Sequence, residues 1–168
     1  MKSNRVKISL LSRPVDILIV VLYSYFLCSC IFIETRYCAA PLNEDDEDAL
    51  MKATYEYAIQ YNPLFLTRPE WLRAATCLSA YGLSVGYVVG IIAFLGAIDS
   101  LRVPLLMFCS FKLNSIFLYY FLEFFGSMPV PDPVMFLAPE FPYVLGLVLV
   151  LFRLRNDHPF SRVVIGKK

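Results

Sequence analysis

Residues 101–125 read LRVPLLMFCSFKLNSIFLYYFLEFF. At about 1.5 Å per helical residue this stretch can cross a hydrocarbon core of about 30 Å. Lys112 and Asn114 nevertheless stand near its middle. A charge at bilayer depth costs at least ~2.5–3.5 kcal/mol on insertion scales, so Lys112 must face a bundle interior or a wet cavity. The polar pair therefore marks an inside, and the rest of the chain has to supply its walls.

The composition agrees. Of the 168 residues, 58% are hydrophobic and 17% charged, against about 45–50% and about 25% in soluble domains. Three further apolar segments, residues 15–33, 72–98 and 134–152, accompany 103–125. The expected fold is all-α: a polytopic membrane protein with a four-helix transmembrane bundle. A basic flank (1–13), a membrane domain (14–155) containing a long polar loop (35–70), and a basic tail (156–168) make up the chain. Ten Lys and Arg residues lie at the amino end, the 99–102 turn and the tail, against four (Arg36, Lys52, Arg68, Arg73) on the opposite side. The positive-inside rule then makes both termini cytoplasmic and the long loop lumenal. The net charge of +1 and the lack of a basic run interleaved with aromatics exclude a nucleic-acid partner.

The connections carry their own signals. Asn43-Glu-Asp-Asp-Glu-Asp48 reads as a solvated acidic run. Helical apolar spacing follows from Met51 to Ile59 until Asn62-Pro63 stops it, because the residue before proline is pushed out of the helical region. Asn62, Pro63 and Trp71 form the structural part of this loop, with Trp71, Tyr57 and Tyr61 at headgroup level. Gly82, Gly86 and Gly90 recur every fourth residue; such faces let helices approach closely, either within the bundle or in a homodimer or membrane-protein partnership. Pro139 and Pro142 break the backbone ladder of the fourth segment and free carbonyls at membrane depth. Four of the five cysteines lie inside apolar segments and read as packing thiols rather than a disulfide framework. With Cys28 and Cys30 far from the lone His158, which is expected in solvent, no metal site forms, and no cofactor is expected.

Placed at their depths, Glu34, Ser79, Lys112, Asn114 and Glu140 converge in the lumenal half of the bundle, with Glu123 at the rim. Two readings remain open there: a Lys112–Glu140 ion pair that only fixes helix register, and a ligand pocket containing a buried carboxylate. There is no Gly-x-Ser-x-Gly, phosphate loop or His-Glu-x-x-His, so no catalytic residue is assigned.

The layout resembles the EXPERA domain family of four-helix membrane proteins, and within it the sigma-2 receptor branch. The likeness spans Arg13 to about Arg155. It rests mainly on Tyr57-Ala-Ile-Gln-Tyr-Asn-Pro-Leu64 and Pro69-Glu-Trp71, with the Asp16 to Glu34 spacing, Arg102-Val-Pro104 and Ala138-Pro139 in support. The resemblance implies that Glu34 is the family acid at the end of the first helix. In that branch the acid pairs with cationic amines, and in the family's sterol isomerase it serves proton transfer. Ser79 stands where both carry a second acid, and Cys30 where the isomerase has histidine. Asn62 replaces an aspartate and Lys112 an uncharged polar residue. The expectation is a sterol or related lipid bound in an intramembrane cavity of the endoplasmic reticulum, serving lipid homeostasis or trafficking rather than turnover. The alternatives are an isomerase using Glu34 and Glu140, a chaperone-like membrane subunit, and, given the basic amino end, a mitochondrial membrane.

Overall fold

The computed structural model describes residues 4–164; Lys2, Lys167 and Lys168 of the basic count lie outside them. Four long apolar helices form the body: α1 (Pro14–Ala39), α4 (Glu70–Gly96), α5 (Arg102–Phe125) and α6 (Pro133–Arg153). Two shorter helices, α2 (Ala49–Tyr61) and α3 (Pro63–Thr67), come from the long loop. The shortest long helix has 21 residues, about 31 Å at 1.5 Å each, which matches a bilayer core. The protein is thus a helical bundle with four candidate membrane spans.

Local chemistry sets the helix ends. Pro14, Pro63 and Pro133 each occupy a first helical position, where the missing N–H would be unpaired anyway. Asp132 accepts from the N–H groups of Val134 and Met135, and Asp48 from those of Leu50 and Met51. Asp48 also pairs with Arg36 at 2.8 Å, so the last residue of the acidic run is a helix cap. Arg68 takes a left-handed backbone (φ 51°) at the end of α3, and its guanidinium caps the carbonyls of Tyr37 and Cys38 at 2.9 and 2.8 Å.

Two spans differ from expectation at their ends. α1 continues past Ile33 to Ala39, and α4 begins at Glu70. The extension carries Cys38 against α4, where it forms a disulfide with Cys77 (Cα–Cα 5.3 Å). The packing assignment is corrected for this pair, because counting cysteines within apolar runs cannot see two helix ends meeting. Cys28, Cys30 and Cys109 are free thiols. Nor does α6 break at its prolines; it is helical through both Pro139 and Pro142, each of which removes one ladder N–H.

At the end of the bundle away from the loop helices, the termini are tied together. Strand β1 (Asn4–Lys7) pairs antiparallel with β2 (Ser161–Val164), so the even number of spans returns the chain to its starting side. Under this ribbon, Asp16 is fully buried between two arginines: Arg13 at 2.5 Å and Arg153 at 2.6 Å. Both guanidinium groups also stack on Phe160, each 5.3 Å from the ring centre. Asp99 accepts from the Phe160 N–H and the Ser161 hydroxyl. His158, expected in solvent, has Nδ1 3.6 Å from Asp99. Arg102 donates to the carbonyls of Leu154 and Arg155 at the end of α6.

The core between these ends is rich in aromatic rings. Tyr23, Phe26, Tyr87, Phe94 and Leu147 have no exposed surface. The glycine stripe serves this packing: a Cβ on Gly90 would overlap the Tyr23 ring and one on Gly86 the Phe108 ring. Of the three, Gly82 alone is exposed.

Candidate functional site

The half of the bundle next to the loop helices encloses a cavity of about 540 Å³, within the usual range for small-molecule sites. Its walls come from α1, α4, α5 and α6, and its roof from α2 and α3, through Thr54, Tyr57, Asn62 and Phe65. Glu34, Ser79, Lys112, Asn114 and Glu140 all line it, as do Asn62 and Trp71, whereas Pro63 does not. Around these polar groups the lining is apolar and aromatic, including Tyr25, Phe111, Tyr119 and Tyr143.

Two helices depart from α geometry where they meet this cavity. α1 takes one wider π-type turn at Cys30–Glu34, and α4 does the same at Leu78–Leu83. Such single-turn bulges recur at functional sites because they rotate side chains out of the regular register. Here they carry Cys30 and Glu34 on one helix and Ser79 on the other. Cys30 is buried in the combined field of Glu34 and Lys112, which, with Ser79, puts all four groups in one polar cluster.

Lys112 is 8% exposed. Its ammonium donates to the Ser79 hydroxyl at 2.6 Å and lies 6.0 Å from the Tyr87 ring centre. Among the described residues no carboxylate forms an ion pair with it, so the register-fixing pair with Glu140 is corrected. The reason is position: Lys112 meets α4 through Ser79, while Glu140 enters the cavity from α6. An ammonium has three N–H donors, and one is used. In the same cluster, Glu34 Oε2 is buried without a hydrogen-bond partner.

The roof is held by polar contacts to the walls. Asn62 caps α3 through the Phe65 N–H at 3.0 Å and donates its amide to the Tyr119 hydroxyl at 2.7 Å. Tyr57 donates to the carbonyls of Phe136 (3.2 Å) and Met135 (3.4 Å). The Met135 carbonyl is four residues before Pro139, the one that Pro139 leaves without its ladder bond. Burial pushes the Tyr57 hydroxyl above its ordinary range, with Glu140 and Glu123 adding to the effect. At the side, Trp71 and Ala75 on α4 and Phe111, Asn114 and Leu118 on α5 line the cavity while remaining exposed. Tyr25 on α1 and Pro139 on α6 are likewise exposed lining residues, so the chamber reaches the outer surface of the bundle on more than one side.

Sequence reasoning missed three features. Glu123, expected at the rim, is fully buried with neither carboxylate oxygen hydrogen-bonded; only its place in the last turn of an apolar helix hinted at this. The Arg13–Asp16–Arg153 cluster joins residues 137 positions apart, and no local pattern announces such a pairing. The π-type turns have no sequence signature in this chain. No family model matches the chain, and no curated protein and no solved structure matches it either.

Proposed function

We propose that this multipass membrane protein binds a sterol or related lipid in the cavity beneath α2 and α3, as a member of an EXPERA-type group serving lipid homeostasis or trafficking. The observation that carries the reading is the single chamber in which Glu34, Ser79, Lys112, Asn114 and Glu140 meet among aromatic side chains. A polar cluster at membrane depth is expensive unless it pairs internally or serves a ligand. Lys112 has one partner and Glu34 Oε2 none, so internal pairing accounts for little of it. Exposed lining residues on the spans, among them Trp71, Phe111 and Leu118, bring the chamber to the outward surface from which a lipid would come.

The same reading places the cavity end in the lumen of the endoplasmic reticulum. Two independent features support that orientation. Disulfides persist in oxidising compartments, and Cys38–Cys77 lies at the cavity end. Basic residues concentrate at the other end, as the positive-inside rule requires of a cytoplasmic face.

Native mass spectrometry of the protein released from gentle detergent tests the binding reading. The expected result is a protein peak carrying one lipid of defined mass, lost in the Lys112→Met variant. A wild-type spectrum with no adduct under conditions that preserve other lipid complexes would overturn it.

A further inference from the structure

Lys112 has two ammonium N–H groups left after its bond to Ser79. Glu34 Oε2 is a buried acceptor without a donor, and Glu140 brings a second carboxylate to the same chamber. Neither carboxylate lies within 4.0 Å of the ammonium, because no ion pair joins them among the described residues. The chamber thus holds unused donors on the α5 wall and unused acceptors on the α1 and α6 walls, with more than 4.0 Å between the ammonium and either carboxylate. A head group that fills it must accept from one side and donate to the other.

Charge narrows the choice. A cationic amine satisfies the carboxylates but shares a poorly screened chamber with Lys112. An anion satisfies Lys112 but meets two carboxylates. Either charge must also leave water, a penalty of several kcal/mol per ion that attraction repays only with full pairing. A hydroxyl has one O–H donor and two lone pairs and brings no charge. It can accept from Lys112 and donate to a carboxylate at once.

Building on the lipid-binding reading, we infer that the ligand presents an uncharged hydroxyl head, seated between Lys112 and Glu34, with its apolar body against the aromatic lining. A sterol with a free 3β-hydroxyl and a monoacylglycerol share this head chemistry and differ in the body.

The test is competition for photo-crosslinking in bilayers. The probe is a diazirine-bearing sterol with a free 3β-hydroxyl. The competitors are the unlabelled 3β-hydroxysterol, its 3-amino and 3-sulfate counterparts, and a monoacylglycerol. The expected result is that the best hydroxyl-headed competitor displaces the probe about tenfold better than the amine or the sulfate, the size of one hydrogen bond to a charged group. Which of the two hydroxyl competitors wins identifies the body. Lys112→Met and Glu34→Gln should each flatten that preference. Displacement by the amine or the sulfate equal to or better than by both hydroxyl ligands overturns the inference while leaving lipid binding intact. Labelling that no competitor displaces overturns both. Because the order of competitors is read on the wild-type protein, the test holds even where a variant folds poorly.

Discussion

The two ends of the bundle treat buried polar groups in opposite ways. At the closed end Asp16 receives two arginines, Asp99 receives an N–H and a hydroxyl, and Arg102 caps the carbonyls of α6. At the cavity end Lys112 has one neutral partner and Glu34 Oε2 none, while Glu123 is buried with both oxygens unpaired. Both sets are ionisable and both interrupt apolar helices. The difference separates polar groups whose partners the fold supplies from polar groups it leaves with one partner or none.

The largest effect that would sharpen this contrast comes from breaking the closed end. Asp16→Ala leaves two guanidinium groups facing each other under the ribbon. It should destabilise the protein by about 3–5 kcal/mol, the usual cost of removing one partner of a buried ion pair, as measured by unfolding in detergent. Next is Gly90→Leu, whose side chain would enter the space of the Tyr23 ring; overpacking of this kind costs about 1–3 kcal/mol and should lower the thermal midpoint. Lys112→Met belongs below both in stability and reverses their sign. Replacing a thinly compensated ammonium with an apolar chain of similar length should leave stability within about 1 kcal/mol or raise it, while the lipid adduct in native mass spectra is lost. A large loss of stability in Lys112→Met would assign that residue to the fold and erase the distinction between the ends.

The smallest effect is at the loop. The N–H groups of Met51 and Leu50, with Arg36 nearby, hold the Asp48 carboxyl below its ordinary range. A depressed carboxyl contributes stability that is fully present above the unfolded value of about 3.9 and is lost as the pH falls through the folded value. An asparagine in its place would still cap the helix but would not titrate. Asp48→Asn should therefore show a shallower fall in thermal midpoint on acidification than the wild type. Parallel curves would remove Asp48 from the account of loop stability.

The four spans were legible because each is a long apolar run, and membrane depth limits what such a run can be. The convergence of Glu34, Ser79, Lys112, Asn114 and Glu140 on one chamber was legible from depth alone, since every helix residue adds about 1.5 Å. What stayed hidden depends on rotation and on distant partners. Depth could not tell that Lys112 turns to Ser79 rather than to Glu140, because depth carries no information on rotation about the helix axis. The Cys38–Cys77 bond needed α1 to run to Ala39, and the terminal ribbon joins strands of 4 residues too short to show alternation.

The central claim is that the cavity, and not the general lipid-facing surface, receives the ligand. Crosslinking the diazirine sterol in bilayers and mapping the labelled residues by mass spectrometry tests it most directly. The account predicts labels concentrated on Thr76, Phe111, Ser115 and Tyr143, which line the chamber. Labels spread evenly over exposed apolar positions such as Val21, Val88 and Phe152 would contradict it.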